Sequence, residues 1–198
     1  MARASAEDAA RTARAVLAAA SEAFAASGFA AVTLEDVAAA AGVTRGAVYH
    51  HYRNKTGLFL AVVNELQAEV AANVVAAAED AGSDAMARLR AGSHGFLTAI
   101  TAARAVRILL LDGPAVLGWR RWRSLDAEHS GAHLREALED VGVPADLLEA
   151  MVAQLSGAMN EAALWLAQRP TDPGAQAAAH RVLDHLLDAV APLRPEER

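Results

Sequence analysis

Residues 33–51 read TLEDVAAAAGVTRGAVYHH, and the fold of the chain turns on how this stretch is understood. Thr33 and Asp36 stand three apart, the hydroxyl and acid of a capping box, so a short helix is expected from Leu34 to about Ala41. Gly42 breaks it, and Thr44 caps another helix reaching about His51. Val37, Ala41, Val43 and Val48 supply apolar contacts. A helix-turn-helix needs a small residue where its helices cross, here Ala38, and a glycine four residues later that can take positive φ, here Gly42. It also needs a branched apolar plug six residues further on, here Val48. All three stand at the required spacing. The second helix of such a pair can enter a DNA major groove, roughly 12 Å wide, with its N-terminal residues against base edges.

Outward from this stretch the helical pattern continues. Alanine is abundant, the six prolines are clustered and β-branched residues seldom run together, so no strand is expected and the class is all-α. Val16, Leu17, Ala20 and Phe24 recur at three- and four-residue spacing with Gly28 as C-cap, predicting a first helix from about Ala6 to Ser27. Asn54 and Lys55 begin a long fourth helix running to about Asp80. Turn signals at Gly82-Ser83, Asp112-Gly113-Pro114, Gly142-Val143-Pro144 and residues 170–174 divide the rest into further helices, about nine in all. The tail from Pro192 to Arg198 is expected to fray.

The 198 residues are 54% hydrophobic, enough for a substantial core, and contain no cysteine, which excludes disulfides, thiol nucleophiles and thiolate metal sites. No apolar run approaches the eighteen or so uninterrupted residues of a membrane span, and the first twenty residues carry charges where a signal peptide would be apolar. A cytoplasmic protein without a membrane partner is expected. The net charge of -6 is unevenly spread. Residues 1–60 hold six Lys or Arg against five acids, a net of +1, and the remainder holds twelve against nineteen, a net of -7. The sign of that asymmetry permits a DNA-facing head on an acidic body.

Gly28-Phe29, Thr33 to Val37, Ala41-Gly42-Val43-Thr44 and the run from Tyr49 to Phe59 together resemble the DNA-binding signature of the TetR family. The resemblance implies a three-helix DNA-binding head over residues 1–54 and an effector-binding and dimerisation domain over 55–198. It places Arg45, Gly46, Ala47, Tyr49 and His50 in the groove, with Arg45 as base reader, since a guanidinium can bond bidentately to guanine O6 and N7. It assigns Thr33, Thr44, Tyr49, His51 and Lys55, the only lysine, to phosphates. Tyr52 and Phe59 read as core residues. Gly46 and Ala47 are small where larger polar groups would read bases, so DNA shape is expected to carry part of the specificity. The family further implies a homodimer through helices at about 144–168 and 172–191, and hence a near-palindromic double-stranded operator. Leu147, Leu148, Met151, Leu155 and Leu164, then Val182, Leu183, Leu186, Leu187 and Val190, are numerous enough for two apolar faces.

In the body, Met86, His94, Phe96, Trp119, Trp122, Met159, Asn160 and Trp165 mix large apolar surfaces with a few polar tips. That is the chemistry of a pocket for a small-molecule effector, and also of ordinary core packing. In Trp119-Arg120-Arg121-Trp122-Arg123, helical spacing puts the tryptophans on one face and the arginines largely on another. His129 and His133 stand four apart, as on one face of a helix, but no third metal ligand accompanies them and no metal or cofactor is expected. No phosphate loop, nucleophile elbow or pair of catalytic carboxylates is present, so an enzyme is not expected. The function that follows is a ligand-responsive repressor. Its alternatives are an activator or architectural DNA-binding protein without a ligand, and a helical binder or enzyme that no longer holds DNA.

Overall fold

In the computed structural model, which describes residues 2–190 with side chains from residue 7 onward, every regular element is helical. In chain order these are α1 (Ala2–Ala31), α2 (Leu34–Ala40), α3 (Arg45–Tyr52), α4 (Lys55–Asp80) and α5 (Ala85–Ile100). A broken run follows: α6 (Ala103–Ala105), a π-helical segment (Val106–Asp112) and α7 (Gly113–Leu117). The chain closes with α8 (Trp119–Glu128), α9 (Ser130–Val141), α10 (Ala145–Ala167) and α11 (Pro173–Asp188). Among the described residues, nine α-helices have seven or more residues, and there is no strand. The expected frayed tail, 192–198, lies outside the described residues.

Two expectations are corrected. Asp112-Gly113-Pro114 is not a turn: Asp112 (φ -77°, ψ -34°) and Gly113 (φ -53°, ψ -58°) are helical, and the proline lies in the first turn of α7. There its fixed φ suits the helical backbone. His129 and His133 do not share a helix face, because His129 (φ -107°, ψ -102°) sits in the break before α9 and only His133 is helical. Gly28, read as the end of the first helix, does interrupt α1, with φ 78° and ψ 164° before a last turn to Ala31.

The chain divides into two compact units. One joins the chain up to Leu66 with Ala103–Trp122, and the other joins Gln67–Ala102 with the chain from Arg123 onward. In the first, Val16, Ala20 and Phe24 of α1 are fully buried together with Val37, Val48, Leu58, Phe59, Val62 and Val63. The Phe24 and Phe59 rings meet edge to face at 5.2 Å, and Phe29 completes the cluster at 5.1 Å from Phe59. Burial of each such ring contributes about 1.5–3 kcal/mol, which fixes α1 against the start of α4. In the second unit, α5, α9, α10 and α11 pack around Leu89, Leu97, Ile100, Leu138, Leu155 and Leu187. Helix α4 is long and apolar enough to cross a membrane, yet Glu65, Gln67 and Glu69 interrupt it. Leu58, Phe59, Val62 and Val63 on it have no exposed surface, which is the pattern of a core helix.

Candidate nucleic-acid interface and effector cavity

The first unit builds an outward-facing helix from short-range chemistry. Thr33 caps α2: its Oγ1 accepts from the Asp36 N–H at 3.1 Å, while Asp36 Oδ2 accepts from the Thr33 N–H at 3.0 Å and from the Thr33 hydroxyl at 2.6 Å. These bonds, the side-chain one first, hold the Asp36 carboxyl below the usual carboxylate range. At the end of α2 Gly42 takes φ 67°, a left-handed conformation that an L side chain would strain, and the Val43 N–H returns to the Ala38 carbonyl at 3.0 Å. Thr44 then caps α3, its Oγ1 accepting from the Ala47 N–H at 3.2 Å. Ala38 and Val48 are buried in the crossing of α2 and α3. With its plug facing inward, α3 must turn its other faces out.

Those outer faces are cationic and aromatic. Arg45, Gly46, Tyr49 and His50 are exposed, Tyr49 at 60%, and Ala47 and His51 are half-buried. Between Asp36 and Glu65 there is no carboxylate, while Arg45, Arg53 and Lys55 fall inside that interval. Arg45 Nη1 lies 3.0 Å from Glu35 Oε1, an exposed ion pair between the two motif helices. Arg53 is a cation that side-chain chemistry alone did not single out. It ends α3 at φ 65° and is exposed, beside the start of α4.

The base of α3 is pinned. The Tyr52 hydroxyl donates to the Ala13 carbonyl at 2.8 Å, and burial, with Glu65 adding to it, pushes its pKa up, so it stays a neutral donor. Asn54 Oδ1 accepts from the Gly57 N–H at 2.7 Å and starts α4. At Gly57 a Cβ would fall 2.3 Å from the Tyr52 carbonyl oxygen, so only glycine fits. Lys55 Nζ donates to the Ala30 carbonyl at 3.1 Å and lies 4.5 Å from the centre of the Phe29 ring, which holds the ammonium at the start of α4. Thr33, Thr44, Arg45, Tyr49, His50, His51 and Lys55 therefore all belong to one unit, at the N-caps of α2 and α3, on α3 itself or at the start of α4.

The second unit contains a cavity of about 260 Å³. Val74, Leu89, Phe96, Leu134 and Met159 give it apolar walls, and Asp126, Ser130 and Ser156 make a polar end. Asp126 is buried, and burial pushes its carboxyl above the usual range despite Arg123 Nη1 at 2.7 Å and the Ser156 hydroxyl at 3.1 Å. Of the residues singled out by side-chain chemistry, Phe96 and Met159 line this cavity. Met159 and Trp165 line an apolar groove between α10 and α11, with Val182 and Leu186. Met86, His94 and Asn160 line neither. His94 instead bonds His180 Nδ1 at 2.5 Å and Asp184 at 2.8 Å. Trp119 and Trp122 belong to the first unit, where Trp122 is buried and donates to the Leu109 carbonyl at 2.6 Å while Trp119, 64% exposed, lies beside it with the rings tilted by 34°. Among the described residues no group of three or more metal-ligating side chains converges.

Comparison with known proteins agrees with this anatomy. Residues 16–62 match the family model described as "Bacterial regulatory proteins, tetR family", and residues 86–190 the one described as "Tetracyclin repressor-like, C-terminal domain". Over 66 residues the chain is 44% identical to the HTH-type transcriptional regulator TtgR and to the probable regulator ArpR, both of Pseudomonas putida. That match takes in 33% of this chain and 31% of each relative, so the chain spans about a third of the length of the curated relatives it matches. The crystal structure of a TetR-family transcriptional regulator from Pectobacterium atrosepticum superposes with a TM-score of 0.73 at 29% identity, covering 93% of this chain and 96% of that one. With its helix-turn-helix matched at one end and more than half its length matched in the body, the chain belongs to the TetR family of bacterial transcriptional regulators.

Proposed function

We propose that this family member is a cytoplasmic repressor that holds a near-palindromic operator as a homodimer and leaves it when a small molecule enters the cavity of the second unit. The observation that carries the DNA reading is the exposed face of α3 inside a stretch free of carboxylates from residue 37 to 64. In this reading Arg45 reads a base, Gly46, Ala47, Tyr49 and His50 share the groove with it, and Thr33, Thr44, Tyr49, His51 and Lys55 contact phosphates. The functional boundary lies between residues 54 and 55. Helix α4 begins at Lys55 and also carries Val74, Val75 and Ala78 of the cavity wall, so a ligand that shifts α4 also moves a phosphate contact. Such a ligand acts only through its preference for one arrangement of α4 over the other.

The homodimer reading is supported by Leu147, Trp165, Val182 and Leu186, large apolar side chains that α10 and α11 leave exposed. A twofold pair of heads would meet DNA at half-sites about 34–36 Å apart. Sequencing of genomic DNA retained by the purified full chain tests the whole reading. A recurring palindrome, bound with an affinity that falls steeply with salt, is expected; retention without sequence preference or salt dependence refutes it. The cavity favours a ligand-controlled protein over an activator or architectural protein without a ligand.

A further inference from the structure

The ionisable lining of the cavity says what kind of molecule it takes. Glu79, Arg88, Asp126, His133, Glu136 and Asp140 line it, four carboxylates against one guanidinium and one imidazole. Counting Arg123, which pairs with Asp126 from behind, the carboxylates still outnumber the guanidinium groups by four to two. An anionic ligand entering this space meets like charge at the rim, where the exposed Glu79, Glu136 and Asp140 outnumber Arg88.

The buried end has acceptors waiting for a donor. The Asp126 side chain is 5% exposed, and the bonds it accepts from Arg123 and Ser156 both fall on Oδ2, so Oδ1 takes part in neither. Ser130 is 6% exposed and lines the same cavity, and its buried Oγ has no hydrogen-bond partner within the protein. A hydroxyl buried in this state is disfavoured until something bonds it. The volume sets the scale: an apolar cavity of about 150 Å³ holds one benzene ring, so 260 Å³ has room for a body of about one or two rings.

We propose that the effector is a small organic cation, a protonated amine or an amidinium on an apolar body of about one or two rings. Its N–H groups donate to Asp126, and to the Ser130 hydroxyl once that side chain turns into the cavity, and its body lies against Phe96, Leu134 and Met159. This rests on the reading of the cavity as the effector site. Its specificity comes from charge: the carboxylate excess accepts the cation and repels carboxylates and phosphates of similar bulk.

Three probes of one shape separate the outcomes: benzamidinium, neutral benzamide and benzoate, titrated into the purified full chain by calorimetry. Benzamidinium should bind about tenfold or more tighter than benzamide, as a charge-assisted bond is stronger than a neutral one, and benzoate should not bind measurably. Asp126→Asn should bring benzamidinium and benzamide to similar affinities. Because Asn at this site leaves Arg123 without its carboxylate and can impair folding, Ser130→Ala provides the second variant. It should keep its melting temperature and weaken benzamidinium several-fold. Binding of benzoate as tight as benzamidinium, or no binding of benzamidinium, overturns the proposal. Benzamidinium that binds through Asp126 and Ser130 yet leaves DNA affinity unchanged upholds the ligand class and refutes the effector role instead.

Discussion

Glu35 and Arg45 stand ten residues apart on the two helices of the motif, and their side chains meet at 3.0 Å although both are more than half exposed, at 57% and 67%. An exposed pair of this kind contributes about 0.2–1 kcal/mol to stability and is weakened further by salt. Its main effect falls on Arg45, the proposed base reader, which must leave Glu35 before it can bond a guanine. Glu35→Ala should therefore raise operator affinity several-fold at low salt, with the gain shrinking as salt rises, while stability changes by less than about 1 kcal/mol. Fluorescence anisotropy across a salt series measures this. A fall in affinity would mean that Glu35 orients Arg45 toward the groove rather than withholding it.

Arg45 and Lys55 are expected to fail in different ways when removed. Lys55 is held by the Ala30 carbonyl and the Phe29 ring at the start of α4, a fixed point charge suited to a phosphate. Lys55→Ala should weaken all sequences alike and lower the slope of log affinity against log salt by about 0.9 for each phosphate no longer neutralised. Arg45→Ala should relax the preference at one base pair, at a cost of about 1–3 kcal/mol on the best site. Binding to a panel of single-base operator variants at several salt concentrations separates the two patterns. Equal loss of specificity in both variants would end this division of roles.

Gly57 tests whether the head depends on the junction between α3 and α4. An added Cβ falls 2.3 Å from the Tyr52 carbonyl oxygen, a backbone atom that cannot swing aside as a side chain would. Gly57→Ala should cost about 3 kcal/mol, the upper end of overpacking penalties, seen as a clear fall in the urea midpoint of the full chain. An unchanged midpoint would show that the junction yields without cost.

Much of the head was legible because its determinants are local. The bond from Thr33 to Asp36 spans three residues, the Gly42 turn closes on Ala38, and Thr44 caps Ala47 within one turn of helix. The cavity was less legible because its polar end is assembled from α8, α9 and α10. Asp126, Ser130 and Ser156 share no periodicity that would set them apart from solvated residues. Bulk and aromaticity pointed to Trp119 and Trp122, which belong to the other unit, since a large apolar side chain indicates burial without saying in which core. The pair His94 and His180 lies 86 residues apart and is brought together only by the packing of α5 on α11.

The exposed apolar faces of α10 and α11 predict the oligomeric state. Val182 is 58% and Leu186 42% exposed, one helical turn apart, so charges placed there should not disturb the core beneath, formed by Leu183 and Leu187. The double variant Val182→Glu, Leu186→Glu should sediment as a monomer at micromolar concentration with its helical content intact, and should lose operator affinity because a single head binds one half-site. A variant that sediments as the parent does would place the dimer contact elsewhere on the chain.

The network joining α5 and α11 predicts how stability changes with pH. His180 is half-buried. Burial first, then the nearby His94, lowers its pKa below the ordinary 6.5, with Asp184 opposing. The charged and titratable groups around it are His94 and Arg90 from α5 and Asp184 and Asp188 from α11. A histidine with a lowered pKa in the folded state binds fewer protons folded than unfolded, so stability rises with pH across that window and falls as pH drops below about 6.5. Asp184 behaves separately. Its bonds from Arg90 and then His94 hold its pKa below 3.8, so its contribution is complete above that value and is lost only in stronger acid. Urea unfolding of the parent at pH 7.5 and pH 5 should show the loss belonging to His180, and His180→Gln should flatten it while leaving the fall below pH 4 in place. A parent whose stability is level from pH 7.5 to 5, or a variant as steep as the parent, would mean that His180 takes up its proton as readily in the folded chain as in the unfolded one.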